Sequence, residues 1–143
     1  MLELEPYLFF AGDCEEALNF YARALGGEIT MMNRFEGSPM AADMPEDQRK
    51  NVMHANFRAG KLRFMASDGL GMPGHALPTG TRVRLSIGTT DAAEGERVFN
   101  ALAEGGTVDT PYQKQFWGDS FGMLTDRFGI EWMVNAGSGD SGD

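Results

Sequence analysis

Along the segment "DCEEALNFYARALGG", residues 13–27, apolar side chains fall at Leu18, Tyr21 and Leu25. That i, i+3, i+7 spacing puts them on one face of a helix. Asp13 stands at the N-cap position with Glu16 three residues on, and Gly26-Gly27 offers the left-handed residue that ends helices. The segment "DAAEGERVFNALAEGG", residues 91–106, repeats the order: Asp91 and Glu94 at the start, Val98 and Leu102 on one face, Gly105-Gly106 at the end. Gly95 inside it costs about 1 kcal/mol relative to alanine, a local weakness in the pattern.

Runs with the period of a strand surround both helices. "EPYLFFAG" precedes the first, and "TRVRLSIGTT" the second, where Val83, Leu85 and Ile87 alternate with Arg82, Arg84 and Ser86. "GEITMMNRFEG", "NVMHANFRAG" and "KLRFMASD" follow the first helix; "GTVDTPYQKQFW", "DSFGMLTD" and "GIEWMVN" follow the second. "FRAGKLRF" reads as a hairpin turning at Gly60-Lys61 or at Ala59-Gly60, and Asp126 to Gly129 makes the last turn. The chain therefore predicts strand, helix and three strands, twice over: an α+β fold of tandem βαβββ modules. Each module alone leaves one sheet face open, so the halves are expected to bury surface against each other. The boundaries fall at 1–70 for the first module, 71–80 for a Gly/Pro-rich linker and 81–136 for the second module. Residues 36–50 read as a mobile loop, and 137–143, only Gly, Ser and Asp, as a disordered tail.

Charge narrows the functional classes. Twelve Lys and Arg against 21 Asp and Glu give −9, which argues against nucleic acid or an anionic membrane surface as partner and suits a cationic ligand. A single cysteine, Cys14, allows no internal disulfide. The N-terminus lacks a basic region before its apolar run, and no apolar stretch approaches the ~20 residues of a membrane span, so a cytoplasmic location is expected.

Strand parity sorts the candidate chemistry. Val52, His54, Asn56 and Arg58 share one face, and Met53, Ala55 and Phe57 the other. A His-Asn-Arg row is suited to orienting an anionic or carbonyl substrate, with His54 as a candidate catalytic acid or base; the plainer reading is a sheet-face histidine bonded to a neighbour. His75 falls in the linker. Cys14 stands at the first helical position, where the helix dipole lowers a thiol's pKa, but Glu15 and Glu16 oppose that, which favours a small filler side chain. Asp68, Asp119 and Asp126 read as turn formers. Tyr7 and Phe9 share a face, as do Glu131, Met133 and Asn135 opposite Ile130, Trp132 and Val134. The concave faces are expected to collect Tyr7, Phe9, Met65, Arg84 and Met133, with Phe116 and Trp117 from the preceding loop. That is the make-up of a small-molecule site, aromatic core filling being the alternative.

Three motifs carry a family resemblance: "FYARALGG" (residues 20–27), "HANFRAG" (54–60) and "FWGDSFGMLTDRFGIEWM" (116–133). With the repeated βαβββ pattern, the chain resembles the vicinal oxygen chelate superfamily of glyoxalase I, extradiol dioxygenases and the bleomycin and fosfomycin resistance proteins, and within it the PhnB-like branch. The resemblance spans Pro6 to Asn135 and implies sheets curling into a U-shaped cleft, frequent homodimers, and in metal-using members four His or Glu ligands on the first and last strands of the modules. The nearest positions here are Pro6, Met65, Arg84 and Met133, none of which supplies a donor for a divalent ion, and Arg84 repels one. His54, Asp68 and Glu131 become ligands only if the register slips. The expectation is a small-molecule binder without metal or other cofactor; the alternative is a metal-dependent lyase, isomerase or dioxygenase. Some PhnB-like proteins carry a demethylubiquinone methyltransferase label, but no Gly-rich strand-to-helix loop for a methyl donor stands in this chain.

Overall fold

In the computed structural model, which describes residues 4–69, 83–116 and 118–137, the chain divides into two compact units, Met1–Thr79 and Gly80–Asp143. The first unit runs β1 (Tyr7–Phe9), α1 (Cys14–Leu25), β2 (Glu28–Arg34), β3 (Val52–Ala59) and β4 (Leu62–Ser67). The second runs β5 (Leu85–Thr89), α2 (Ala92–Ala103), β6 (Thr107–Lys114), β7 (Ser120–Thr125) and β8 (Glu131–Ala136). Each unit holds one four-stranded mixed sheet, ordered β1-β4-β3-β2 and β5-β8-β7-β6. In each, the strand before the helix pairs in parallel with the last strand, and the other pairs are antiparallel. The expected linker at 71–80, with His75, lies outside the described residues, as do Trp117 and residues 138–143. Gly137, assigned from sequence to the tail, instead donates its N–H to Thr89 O at 2.8 Å and prolongs the β5–β8 edge.

The first unit buries one sheet face under α1. Cys14, Ala17, Leu18, Phe20, Tyr21 and Ala24 face Leu8, Phe57, Phe64 and Ala66, all buried. Leu25, expected in the stripe, lies half-buried at its edge. Phe57 and Phe64 are cross-strand partners stacked at 4.7 Å, and Tyr21 meets Phe64 edge-on at 5.9 Å. Each such side chain contributes about 1.5–3 kcal/mol when fully buried. The β3–β4 turn is Gly60-Lys61: Ala59 pairs with Leu62, and Gly60 takes φ +63°. Residues 36–50 depart from the expected loop. They coil into 3-10 turns at Pro39–Asp43 and Glu46–Gln48, and Met44 is buried with its carbonyl receiving Arg49 Nε at 3.2 Å.

In the second unit α2 lays Val98, Phe99 and Leu102 on Ile87, Leu124, Trp132 and Val134. Gly95, a weakness by helix propensity, has a packing reason. A Cβ there would fall 2.5 Å from the Tyr112 hydroxyl oxygen of β6, which donates to Ala92 O at 2.8 Å. The Trp132 indole, 2 % exposed, donates Nε1–H to the buried Asp126 carboxylate at 2.8 Å; the Phe128 and Ile130 N–H groups bond the same carboxyl. Asp126 thus does more than form the turn.

Candidate functional site

The helix-free face of the first sheet gathers the sequence candidates. Parallel register sets Tyr7 beside Met65, and antiparallel register sets Met65 beside Asn56, so these three lie in line across β1, β4 and β3. Phe9 stacks on Tyr7 with ring centroids 4.6 Å apart and planes within 5°. Both rings stand well out of the surface, 37 % and 42 % exposed. His54 meets Tyr7 edge-on, its Nδ1 2.8 Å from the Tyr7 hydroxyl and its Nε2 3.0 Å from Asn56 Oδ1. Burial pushes the Tyr7 phenol above its ordinary value, partly offset by the Ser67 hydroxyl. At neutral pH the phenol therefore keeps its proton. Arg58 lies exposed on the same face two residues beyond Asn56.

The corresponding face of the second sheet is organised by charge. Arg84 Nη1 donates to Leu124 O at 3.2 Å and Trp132 O at 3.1 Å; Nη2 pairs with Asp109 Oδ2 and Glu131 Oε2, each at 3.1 Å. The Thr125 hydroxyl donates to Asp109 at 2.8 Å. Two carboxylates and two carbonyls occupy the guanidinium. Met133 lies between Ser86 and Met123, and Asn135 donates to Asp119 at 3.2 Å. Phe116, in the β6–β7 turn, is 96 % exposed.

The remaining ligand candidates have structural duties. Asp68, 4 % exposed, accepts from Gly12 N and Cys14 N through Oδ1 and from Val52 N through Oδ2, at 2.8–2.9 Å. It closes the start of α1 and the start of β3, a role invisible at a separation of 54–56 residues. Cys14 is fully buried, and burial, with Asp68, Asp13 and Glu15 beside it, pushes its thiol up to about 12. The helix dipole loses to desolvation, and the thiol is inert.

Among the described residues the candidate donors do not make a set that fits a divalent ion. The expected ligand positions hold Pro6, Met65, Arg84 and Met133; the Glu131 carboxylate is taken by Arg84, the Asp68 carboxylate by three N–H groups, and both His54 nitrogens by neighbours. No group of three or more His, Cys, Asp or Glu side chains comes together among the described residues.

A duplicated βαβββ chain with one four-stranded mixed sheet in each unit has the glyoxalase/bleomycin-resistance-like fold of the PhnB-like vicinal oxygen chelate proteins. Residues 3–135 match the family described as 3-demethylubiquinone-9 3-methyltransferase, and the chain belongs to that family. It is 33 % identical to protein YjdN of Escherichia coli K12, covering 94 % of this chain and 95 % of that one. Protein PA1353 from Pseudomonas aeruginosa is 42 % identical, with TM-score 0.82 over 96 % of this chain and 98 % of that one. The fold alone is shared with a putative 3-demethylubiquinone-9 3-methyltransferase, PhnB protein, from Bacillus cereus, 24 % identical with TM-score 0.75 over 94 % and 99 % of the two chains. The same holds for a glyoxalase/bleomycin resistance protein/dioxygenase family enzyme from Burkholderia phytofirmans, 12 % identical with TM-score 0.62 over 91 % and 95 %.

Proposed function

We propose that this chain binds a small, partly aromatic molecule on the open sheet face of its first unit, lining the cleft that the family resemblance implies, and that it does so without metal. One observation carries the reading: Tyr7 and Phe9 stack in the open beside a hydrogen-bonded His54–Asn56 pair. Flat apolar surface held next to a few fixed polar groups is the make-up of a small-molecule site, and an aromatic ligand would release the water from both rings. The same reading takes the protein to act in the cytoplasm as a homodimer, for which a sedimentation mass twice that of the chain is expected.

Methyl transfer, which the family's description names, has less support in the residues. A methyl donor of the usual kind needs a Gly-rich turn and open N–H groups at a helix start. Here the loop before α1 holds one glycine, Gly12, and Asp68 takes its N–H and that of Cys14. The start of α2 is closed by Asp91, which accepts from Ala93 N and Glu94 N.

A thermal-shift panel of small aromatics, run with metal analysis of protein purified without chelator, tests the reading. A ligand at 100 times its Kd stabilises by about 2.7 kcal/mol, enough to raise Tm visibly. Aromatic ligands are expected to raise the Tm of the wild type and not of a Tyr7→Ala/Phe9→Ala variant, with metal below one equivalent. Stoichiometric Zn, Fe or Mn that is lost on His54→Ala would overturn the proposal, as would a panel in which no aromatic acts.

A further inference from the structure

The polar row on the open face of the first sheet has a direction. Asn56 turns Oδ1 toward His54 Nε2, so that nitrogen carries the proton and Nδ1 accepts from the Tyr7 hydroxyl. Each group donates to the next, from Tyr7 through His54 to Asn56. The row ends on the Asn56 amide nitrogen, whose N–H groups meet no partner among the described residues. Arg58, exposed on the same face, forms no ion pair among the described residues.

Spacing says what would fit. Tyr7, Met65 and Asn56 occupy three neighbouring strands, so Tyr7 and Asn56 stand two strand spacings apart, about 10 Å between backbones. An aromatic ring with one polar substituent spans that gap over Met65, a soft and adaptable floor. The Tyr7 proton is already committed to His54. Asn56 Nδ2 and Arg58, at the far end, only donate; Glu28 stands across from Arg58 in the β2–β3 register.

We propose that this face selects an aromatic compound bearing an acceptor oxygen, a ketone or a carboxylate, with its ring on Tyr7 and Phe9 and its oxygen on Asn56 Nδ2. Arg58 adds to the affinity when the oxygen is charged. The inference deepens the binding reading above and depends on it. It also sets the local donors against the overall charge of −9, which by itself suits a cation. A ligand's contacts are decided within a few ångströms, whereas the surface field is screened over about 8 Å at physiological salt.

Calorimetric titration of the full chain with acetophenone, benzoate, aniline and cyclohexyl methyl ketone tests it. Acetophenone and benzoate are expected to bind, the cyclohexyl ketone more weakly, and aniline, which brings a donor to a donor, weakest. Asn56→Asp keeps an oxygen that accepts from His54 and replaces the donating amide nitrogen with a charged acceptor oxygen; about a tenfold loss of acetophenone affinity is expected. Arg58→Gln is expected to weaken benzoate by about tenfold while leaving acetophenone within about twofold. Unchanged acetophenone affinity in Asn56→Asp, or aniline binding as tightly as acetophenone, overturns the inference; the latter would mean the row runs from Asn56 to Tyr7. If none of the four probes binds while another aromatic gives a Tyr7-dependent rise in Tm, the inference falls and the binding reading stands. If no aromatic gives a Tyr7-dependent rise, both fall.

Discussion

The two helices of this chain begin with the same residues at the same spacing and are closed by different means. In α2, Asp91 caps its own helix: Oδ1 accepts from Ala93 N at 3.0 Å and Glu94 N at 3.3 Å. In α1, Asp13 holds the equivalent place and its side chain makes no capping bond. Asp68, at the far end of the unit, reaches across to take Gly12 N and Cys14 N, and with its second oxygen Val52 N. A local signal reports where a helix starts; which group satisfies the first N–H groups is decided by tertiary structure. The consequence is mechanical. Unit 2 has a cap that can be lost alone, whereas unit 1 has a buried carboxylate whose loss loosens a helix start and a strand start together.

Replacing the two carboxylates separates these cases most sharply. Asp91→Ala is expected to cost about 1 kcal/mol, the usual value of an N-cap. Asp68→Ala strands three donors in a buried site and is expected to cost about 4 kcal/mol. Urea midpoints of the two variants measure the difference, and equal losses would show that Asp68 is no more than a second cap.

The comparison also says what a sequence can carry. Element order, the existence of the β3–β4 hairpin and the inward faces followed from short-range pattern: parity alone separated Ala55 and Phe57, both buried, from His54 and Asn56. Partners distant in sequence did not follow. Asp68 at the end of β4 looked like a turn residue, and Arg84 looked only like a cleft-facing cation, without its partners, because Asp109 and Glu131 arrive from strands 25 and 47 residues further on. The Tyr7–His54 bond spans 47 residues and could not be read from the chain either. Parity puts a side chain on a face; whom it bonds there depends on register.

Gly95 marks a second difference, since α1 carries the buried Ala17 at the matching position. Propensity alone predicts that Gly95→Ala stabilises α2 by about 1 kcal/mol. The Tyr112 hydroxyl where the new methyl would go reverses the sign, and a loss of about 2 kcal/mol is expected. In a Tyr112→Phe background, which removes that oxygen, the same substitution is expected to cost less than half as much. A double-mutant cycle on thermal midpoints checks this, and additive effects would mean the contact is not the cause.

Cys14 and Ala92 open the two helices, and only the first titrates. The Cys14 thiol is raised from 9.0 to about 12 in the folded chain, so the unfolded chain loses its proton first. Its contribution is fully present below pH 9 and is lost as pH rises toward about 12. Cys14→Ala is therefore expected to flatten the decline of the urea midpoint across that window and to leave the shape near neutrality unchanged. A decline of equal slope in both proteins would assign it to other groups.

The smallest contrast is on the surface. Glu15, in the first turn of α1, receives a forked pair of bonds from Arg34, Nη1 to Oε1 and Nη2 to Oε2, each 3.0 Å; Ala93 takes that place in α2. The Arg34 bonds hold the Glu15 carboxyl below its ordinary 4.5. Because the folded value is the lower one, the gain exists above pH 4.5 and disappears as pH falls through the folded value. Side-chain exposures of 34 % and 48 % leave the pair open to water and salt, which argues for about 0.5 kcal/mol and no more. Arg34 also donates to Lys50 O at 2.9 Å, so part of its ordering is already accounted for without Glu15. Glu15→Gln should then lower the urea midpoint slightly at pH 7 in low salt and hardly at all in 1 M salt, where the screening length is about 3 Å. A loss that persists in high salt would mean that Glu15 acts through the helix start itself, as Asp91 does in α2.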